Sequence, residues 1–129
     1  MANAAKAKGT KAETRVVNYL LAAGLEARRL VMKGSADEGD VYFVARSEVG
    51  EFGVILEVKC GKQTQNISRK QREDWLAETR TEGENAERDS YLVIAKHGSS
   101  VKDYHVWSNK GDRFWYLDDF TERMGGQLE

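Results

Sequence analysis

The 129-residue chain has no proline, one cysteine and two histidines. Without proline, glycines and polar clusters must mark its turns. A lone Cys60 excludes an internal disulfide and any multi-cysteine zinc site. His97 and His105 are too few and too scattered to build a zinc site with it. Apolar runs extend over only a few residues, far short of the roughly 20 a bilayer span needs. The opening Met1-Ala2-Asn3-Ala4-Ala5-Lys6 lacks the apolar core of a signal peptide. No repeat, low-complexity stretch or interdomain linker interrupts the chain. The expectation is a cytoplasmic protein with a single domain over residues 1–129, no membrane partner and no small-molecule organic cofactor.

Charge of one sign is also missing in sum, because the net charge is −1. The distribution is uneven. Residues 1–34 carry seven bases (Lys6, Lys8, Lys11, Arg15, Arg28, Arg29, Lys33) against two acids. Residues 59–72 carry five (Lys59, Lys62, Arg69, Lys70, Arg72) and no acid. The acids gather in 73–89 and near the C-terminus. Such local basic surfaces hold phosphates even when the total is balanced, or they are a solvated charge mosaic.

Thr10-Lys11-Ala12-Glu13 has the form of a helix capping box, and Val16, Val17, Leu20 and Leu21 follow as an apolar helical stripe that stops at Gly24. Residues 1–9, small and basic, are expected as a mobile arm. Leu25–Val31 reads as a short strand and Lys33–Gly39 as a polar loop. Val41–Ala45 and Phe52–Lys59 read as strands joined by a turn at Glu48–Gly50. A second helix is expected from Ser68, its N-cap, to Thr79, followed by a polar surface loop over Glu82–Asp89. Tyr91–Ala95 and Tyr104–Trp107 are further strands, and a short helix opens near Asp118-Asp119. The order predicts a small α/β or α+β domain with a mixed sheet.

The informative segment is Gly39-Asp40-Val41-Tyr42, followed across the hairpin by Ile55-Leu56-Glu57-Val58-Lys59. Side chains alternate along a strand, so Glu57 and Lys59 share a face. With the hairpin turning near Val49, Asp40 falls across from that pair. Two converging carboxylates repel unless a proton or a cation sits between them. A hard divalent ion such as Mg²⁺ resolves this with carboxylate, water and phosphate oxygens. Elsewhere an isolated E-x-K on a strand is an ordinary surface ion pair. Here it ends an apolar run. Glu13 is either the capping-box partner of Thr10 or a third carboxylate reaching the site from the first helix.

The set Lys8-Gly9-Thr10-Lys11-Ala12-Glu13, Gly34-Ser35, Gly39-Asp40, Glu57-Val58-Lys59 and Gln71 resembles the archaeal-type Holliday junction resolvases of the PD-(D/E)XK nuclease superfamily, which includes phage-encoded relatives. The resemblance covers about residues 8–107. It implies a restriction-endonuclease-like αβββαβ core, a mixed central sheet flanked by helices, and a homodimer. That dimer would cut four-way DNA junctions with Mg²⁺ or Mn²⁺, leaving a 5′-phosphate. By the same resemblance Glu13, Asp40, Glu57 and the carbonyl of Val58 hold the metal, and Lys59 is the catalytic lysine. Gln71 places water or phosphate, and Ser35 lies near the scissile strand. Gly39 stands where the superfamily motif usually has proline.

Lys8, Lys11, Arg28, Arg29, Lys33, Lys62, Arg69, Lys70 and Arg72 are the expected phosphate contacts, with the start of the second helix assisting some of them. Trp75, Trp107, Phe114, Trp115 and Tyr116 are expected in the core or a dimer interface, with Phe114–Phe120 as the interface candidate. Cys60 is expected as a small buried or half-buried residue. A repair, flap or restriction-like nuclease on the same fold, or a non-catalytic DNA-binding module, are the rival readings.

Overall fold

In a computed structural model, the chain is described over residues 4–31, 38–111 and 113–126. Helix α1 (Ala4–Ala22) leads to a short strand β1 (Ala27–Arg29), then to β2 (Val41–Ser47) and the long β3 (Gly50–Gly61). A 3-10 turn at Lys62–Thr64 precedes helix α2 (Arg69–Ala86). Strands β4 (Asp89–Lys96), β5 (His105–Ser108) and β6 (Phe114–Tyr116) follow, and helix α3 (Leu117–Met124) comes last.

The strands form one sheet in chain order. β3 and β4 run parallel, and every other neighbouring pair is antiparallel. A parallel step needs a crossover, which α2 supplies. The mixed sheet and the αβββαβ core are therefore as expected.

Alternation assigns the faces. Val41, Phe43 and Ala45 of β2 and Val54, Leu56 and Val58 of β3 pack with Val16, Val17 and Leu20 of α1. Trp75 and Leu76 of α2 pack with Leu92 and Ile94 on the other face. Glu57 and Lys59 interleave with Leu56 and Val58, so they point toward α2.

Three expectations need correction. The first concerns α1, which begins at Ala4 rather than Thr10. Ala4, Ala5, Lys6, Ala7 and Lys8 are strong helix formers and carry the helix backward. Thr10 is therefore interior to the helix, and Glu13 closes no capping box. Its Oε1 instead accepts from Arg29 Nε at 3.1 Å.

The second concerns α2. Ser68 is its N-cap, and its Oγ accepts from the N–H of Gln71 at 3.0 Å. The helix, however, runs on to Ala86, through residues expected as loop. Trp75, Leu76, Thr79, Glu82 and Gly83 are buried at helical spacing. Gly83 permits the close approach, since a Cβ there would stand 2.5 Å from Ser90 Oγ. Polar residues wrote half of this buried stripe, and that disguised it.

The third concerns Phe114–Phe120. Leu117 and Phe120 belong to the core, with the Phe120 ring 5.9 Å from Phe43 and 4.9 Å from Tyr91. Only Phe114 and Tyr116 of that segment are large exposed apolar residues. Trp75 is buried as expected, and Cys60 is half-buried against the α1 side. Among the described residues, no helix is long and apolar enough to cross a membrane.

Candidate active site

Val41 pairs with Leu56, so Asp40, one residue earlier, faces Glu57, one residue later. The backbone N–H of Asp40 donates to the Leu56 carbonyl at 2.9 Å, and its own carbonyl accepts from Leu30 N–H at 2.9 Å. Val58 lies beyond the end of β2, and its N–H donates to Asp40 Oδ2 at 2.8 Å. The carboxylate thus replaces the missing strand neighbour and is fixed beside the E-x-K segment.

Gly39 makes this turn possible. Its φ of 102° lies in the left-handed region, and a Cβ would stand 2.1 Å from Ile55 Cγ2. Proline, with φ fixed near −65°, cannot adopt this backbone. Gly39→Ala is expected to destabilise the fold by about 1–3 kcal/mol and to displace Asp40. Chemical denaturation would check the first effect. A midpoint equal to that of the wild type would show that the turn tolerates a side chain.

Glu57 is only 4% exposed. Its Oε2 receives Lys59 Nζ at 3.0 Å, and the same ammonium reaches Glu78 Oε1 at 2.9 Å. The ammonium also lies 5.9 Å from the Trp75 ring centre. Burial and the neighbouring Asp40 push the Glu57 carboxyl up to about 8, against the lowering influence of the Glu82 carboxyl and Lys59. Burial works against the charge of Lys59, but Glu57 and Glu78 outweigh it and hold its pKa above the ordinary value. Lys59 is therefore a fixed cation and a proton donor in hydrogen bonds, not a base.

Glu13, half-buried on α1, stands near enough to Asp40 for the two to interact. Burial, then Asp40, raises its pKa, while Arg29 opposes the rise. Asp40 thus acts electrostatically on both Glu13 and Glu57. These three are not the tightest carboxylate group. Among the described residues, the three carboxylates with oxygens all within 4.8 Å of one another are Glu57, Glu78 and Glu82.

Glu78 and Glu82 were not anticipated, because the segment reads as the end of a helix followed by a loop. One signal was available: Gln71, Trp75, Glu78 and Glu82 are spaced along a single helical face. Gln71 occupies the exposed first turn of that face. Ser35 and Lys33 lie outside the described residues, as does the side chain of Lys8.

The expected phosphate contacts divide by surroundings. Lys11 and Lys62 are exposed. Arg69 and Lys70 are engaged by Glu73 and Asp74, each at 3.1 Å one helical turn on. Such exposed pairs are weak and yield readily to a phosphate. Arg72 stacks 4.5 Å over Trp107, and Arg28 and Arg88 each lie 5.0 Å from the Tyr42 ring centre. Arg29 is held by Glu13.

A divalent cation fits this surrounding on two observations. The donors are carboxylate oxygens, the ligands hard ions prefer. The buried Oε1 of Glu57 has no hydrogen-bond partner, a costly state for a carboxylate unless a proton or cation meets it.

No family model matches the sequence, and no curated protein matches it. A solved structure does match. The chain is similar to a 1.6 Å structure of Archaeoglobus fulgidus Hjc, a Holliday junction resolvase from an archaeal hyperthermophile, with a TM-score of 0.58 and 12% identity. The match covers 89% of this chain and 96% of that one. The chain therefore has a restriction-endonuclease-like α+β fold shared with an archaeal resolvase, the kind of protein its short motifs resemble.

Proposed function

We propose that the chain is a divalent-metal-dependent DNA endonuclease acting on branched DNA, with the four-way junction as substrate. The observation that carries this reading is Asp40 fixed across from a buried Glu57, with Lys59 on the same face two residues on. The shared fold with a resolvase supports it. Glu13, Asp40, Glu57 and the Val58 carbonyl would hold Mg²⁺ or Mn²⁺. When bound, such a cation polarises a phosphate oxygen and acidifies water.

The chain's own groups do the rest. Asp40, fastened by the Val58 N–H, keeps its carboxylate in place without rearrangement. Lys59 presents a permanent positive charge toward the charge that develops on the phosphate. Gln71, on the first turn of α2, orients water or a phosphate oxygen. Lys11, Lys62 and Arg72 neutralise flanking phosphates, helped by Arg28 and by Arg69 and Lys70 once their carboxylate partners yield. By the motif resemblance, Ser35 would act near the scissile strand. Two copies, working in the cytoplasm, would cut the two symmetric strands of a junction together.

A second reading keeps the chemistry and changes the substrate. Arg69 and Lys70 are neutralised within α2, and the net charge is −1, which favours a smaller phosphate footprint such as a flap. Equal amounts of labelled junction, flap, single-stranded and linear duplex DNA in Mg²⁺ separate the two. The junction should be resolved to two duplexes first. Equal or faster cutting of the flap would reassign the substrate.

A further inference from the structure

We propose that Glu78 and Glu82 of α2, together with Glu57, form a second divalent-cation pocket on the α2 side of the sheet, distinct from the Glu13–Asp40 side of Glu57. The proposal rests on the metal-dependent reading above and deepens it by adding residues the motifs do not contain.

The geometry has three parts. The carboxylate oxygens of Glu57, Glu78 and Glu82 lie within 4.8 Å of one another. A cation bonded at about 2.3–2.6 Å spans that separation directly, and Mg²⁺, at about 2.0–2.1 Å, needs only a slight closing. Second, Glu57 and Glu82 are 4% and 1% exposed, so water does not screen them as it screens surface acids. Third, the buried Glu57 Oε1 has no hydrogen-bond partner, and the carboxyls beside Glu57 in this group are Glu78 and Glu82. Two carboxyls in contact need either a shared proton or a shared cation.

Charge and access agree with this reading. With all three groups ionised, Lys59 neutralises one charge and leaves two, the complement of a divalent ion. Glu82 is sealed against the sheet, whereas the side chain of Glu78 is 41% exposed and forms the entrance. An arriving cation would take over Glu57 and Glu78 from the Lys59 ammonium and release it toward the phosphate. Glu57, common to both groups of acids, would join the two cations.

Counting bound Mn²⁺ on the full chain by the loss of the free-ion paramagnetic signal, at about pH 8, tests this directly. Wild type should take up two ions. Glu78→Gln/Glu82→Gln should take up one, and Asp40→Asn should also take up one, through the other set. If the double variant unfolds, Glu78→Gln alone, at the half-exposed entrance, should weaken the second ion by about tenfold or more. An undiminished count or affinity in these α2 variants would mean that the carboxyls share a proton, and the proposal would fall. So would a wild-type count of one that Asp40→Asn abolishes. The nuclease reading fails separately, as uncut junction DNA, whatever the ion count.

Discussion

Glu57→Gln is expected to lower metal-dependent cleavage by about 10³-fold or more while leaving the metal-free protein at least as stable as wild type. Those two effects have opposite signs for one reason. The carboxylate is 4% exposed and one of its oxygens lacks a donor, so its charge is a burden on the fold, one that the proposed cation would relieve. Glutamine keeps the shape, loses the charge and offers an amide N–H toward Glu82. Lys59 keeps Glu78 as a partner at 2.9 Å. Single-turnover cleavage read beside thermal unfolding in chelator measures both effects. A variant that cuts normally, or that unfolds many degrees below wild type, would show that Glu57 is a structural ion-pair partner and nothing more.

Raising the pH in the presence of chelator is expected to destabilise the protein. The folded-state pKa of Glu57 is about 8 against an ordinary 4.5. Between those values the unfolded chain has released its proton and the folded chain has not. Stability from this group is therefore fully present below about 4.5 and is lost progressively as pH climbs to about 8. At roughly 1.4 kcal/mol per unit, reduced by the sharing of charge with neighbours, the loss is on the order of a few kcal/mol, or about 10 °C in Tm. Glu13, also raised, contributes in the same direction.

His105, whose pKa burial and then Lys96 lower, works oppositely below its ordinary 6.5. The clean quantity is therefore the difference between wild type and Glu57→Gln. That difference should grow from about pH 5.5 to about pH 8 in chelator, and Mg²⁺ should reverse it at the higher pH. A pH-independent difference would mean that Glu57 titrates normally.

Much of this centre could be read before the coordinates were known. Val41–Ala45 and Phe52–Lys59 are dense in β-branched and aromatic residues, and Val58 between Glu57 and Lys59 sets those two on one face. Period-two patterning with one hairpin turn fixes the register, and the register places Asp40 opposite Glu57. The second half of α2 was not legible for the complementary reason. Its buried face is written with Thr79, Glu82 and Gly83, which a hydrophobic stripe does not reveal. Their burial follows from contact with β3 and β4, a tertiary fact. The early start of α1 was hidden behind Thr10 and Glu13, a capping signature overridden by five helix-forming residues before it. Glu13 then found Arg29 on β1, a partner that local spacing cannot announce.

The proposed role of Lys59 also follows from these contacts more than from the motif. A lysine between two carboxylates, held above its ordinary pKa, cannot remove a proton from water near neutral pH. It can remain a permanent positive charge while the phosphate passes through its most negative state.

On the proposed reading, Asp40, Glu57 and Lys59 together make a cation-dependent phosphodiesterase. Incubation of a labelled four-way junction with wild type, with and without Mg²⁺, tests it most directly. Paired nicks at symmetric positions that vanish in chelator and in Lys59→Ala are the expected result. Intact junctions in Mg²⁺, or nicks that persist in chelator, would contradict it.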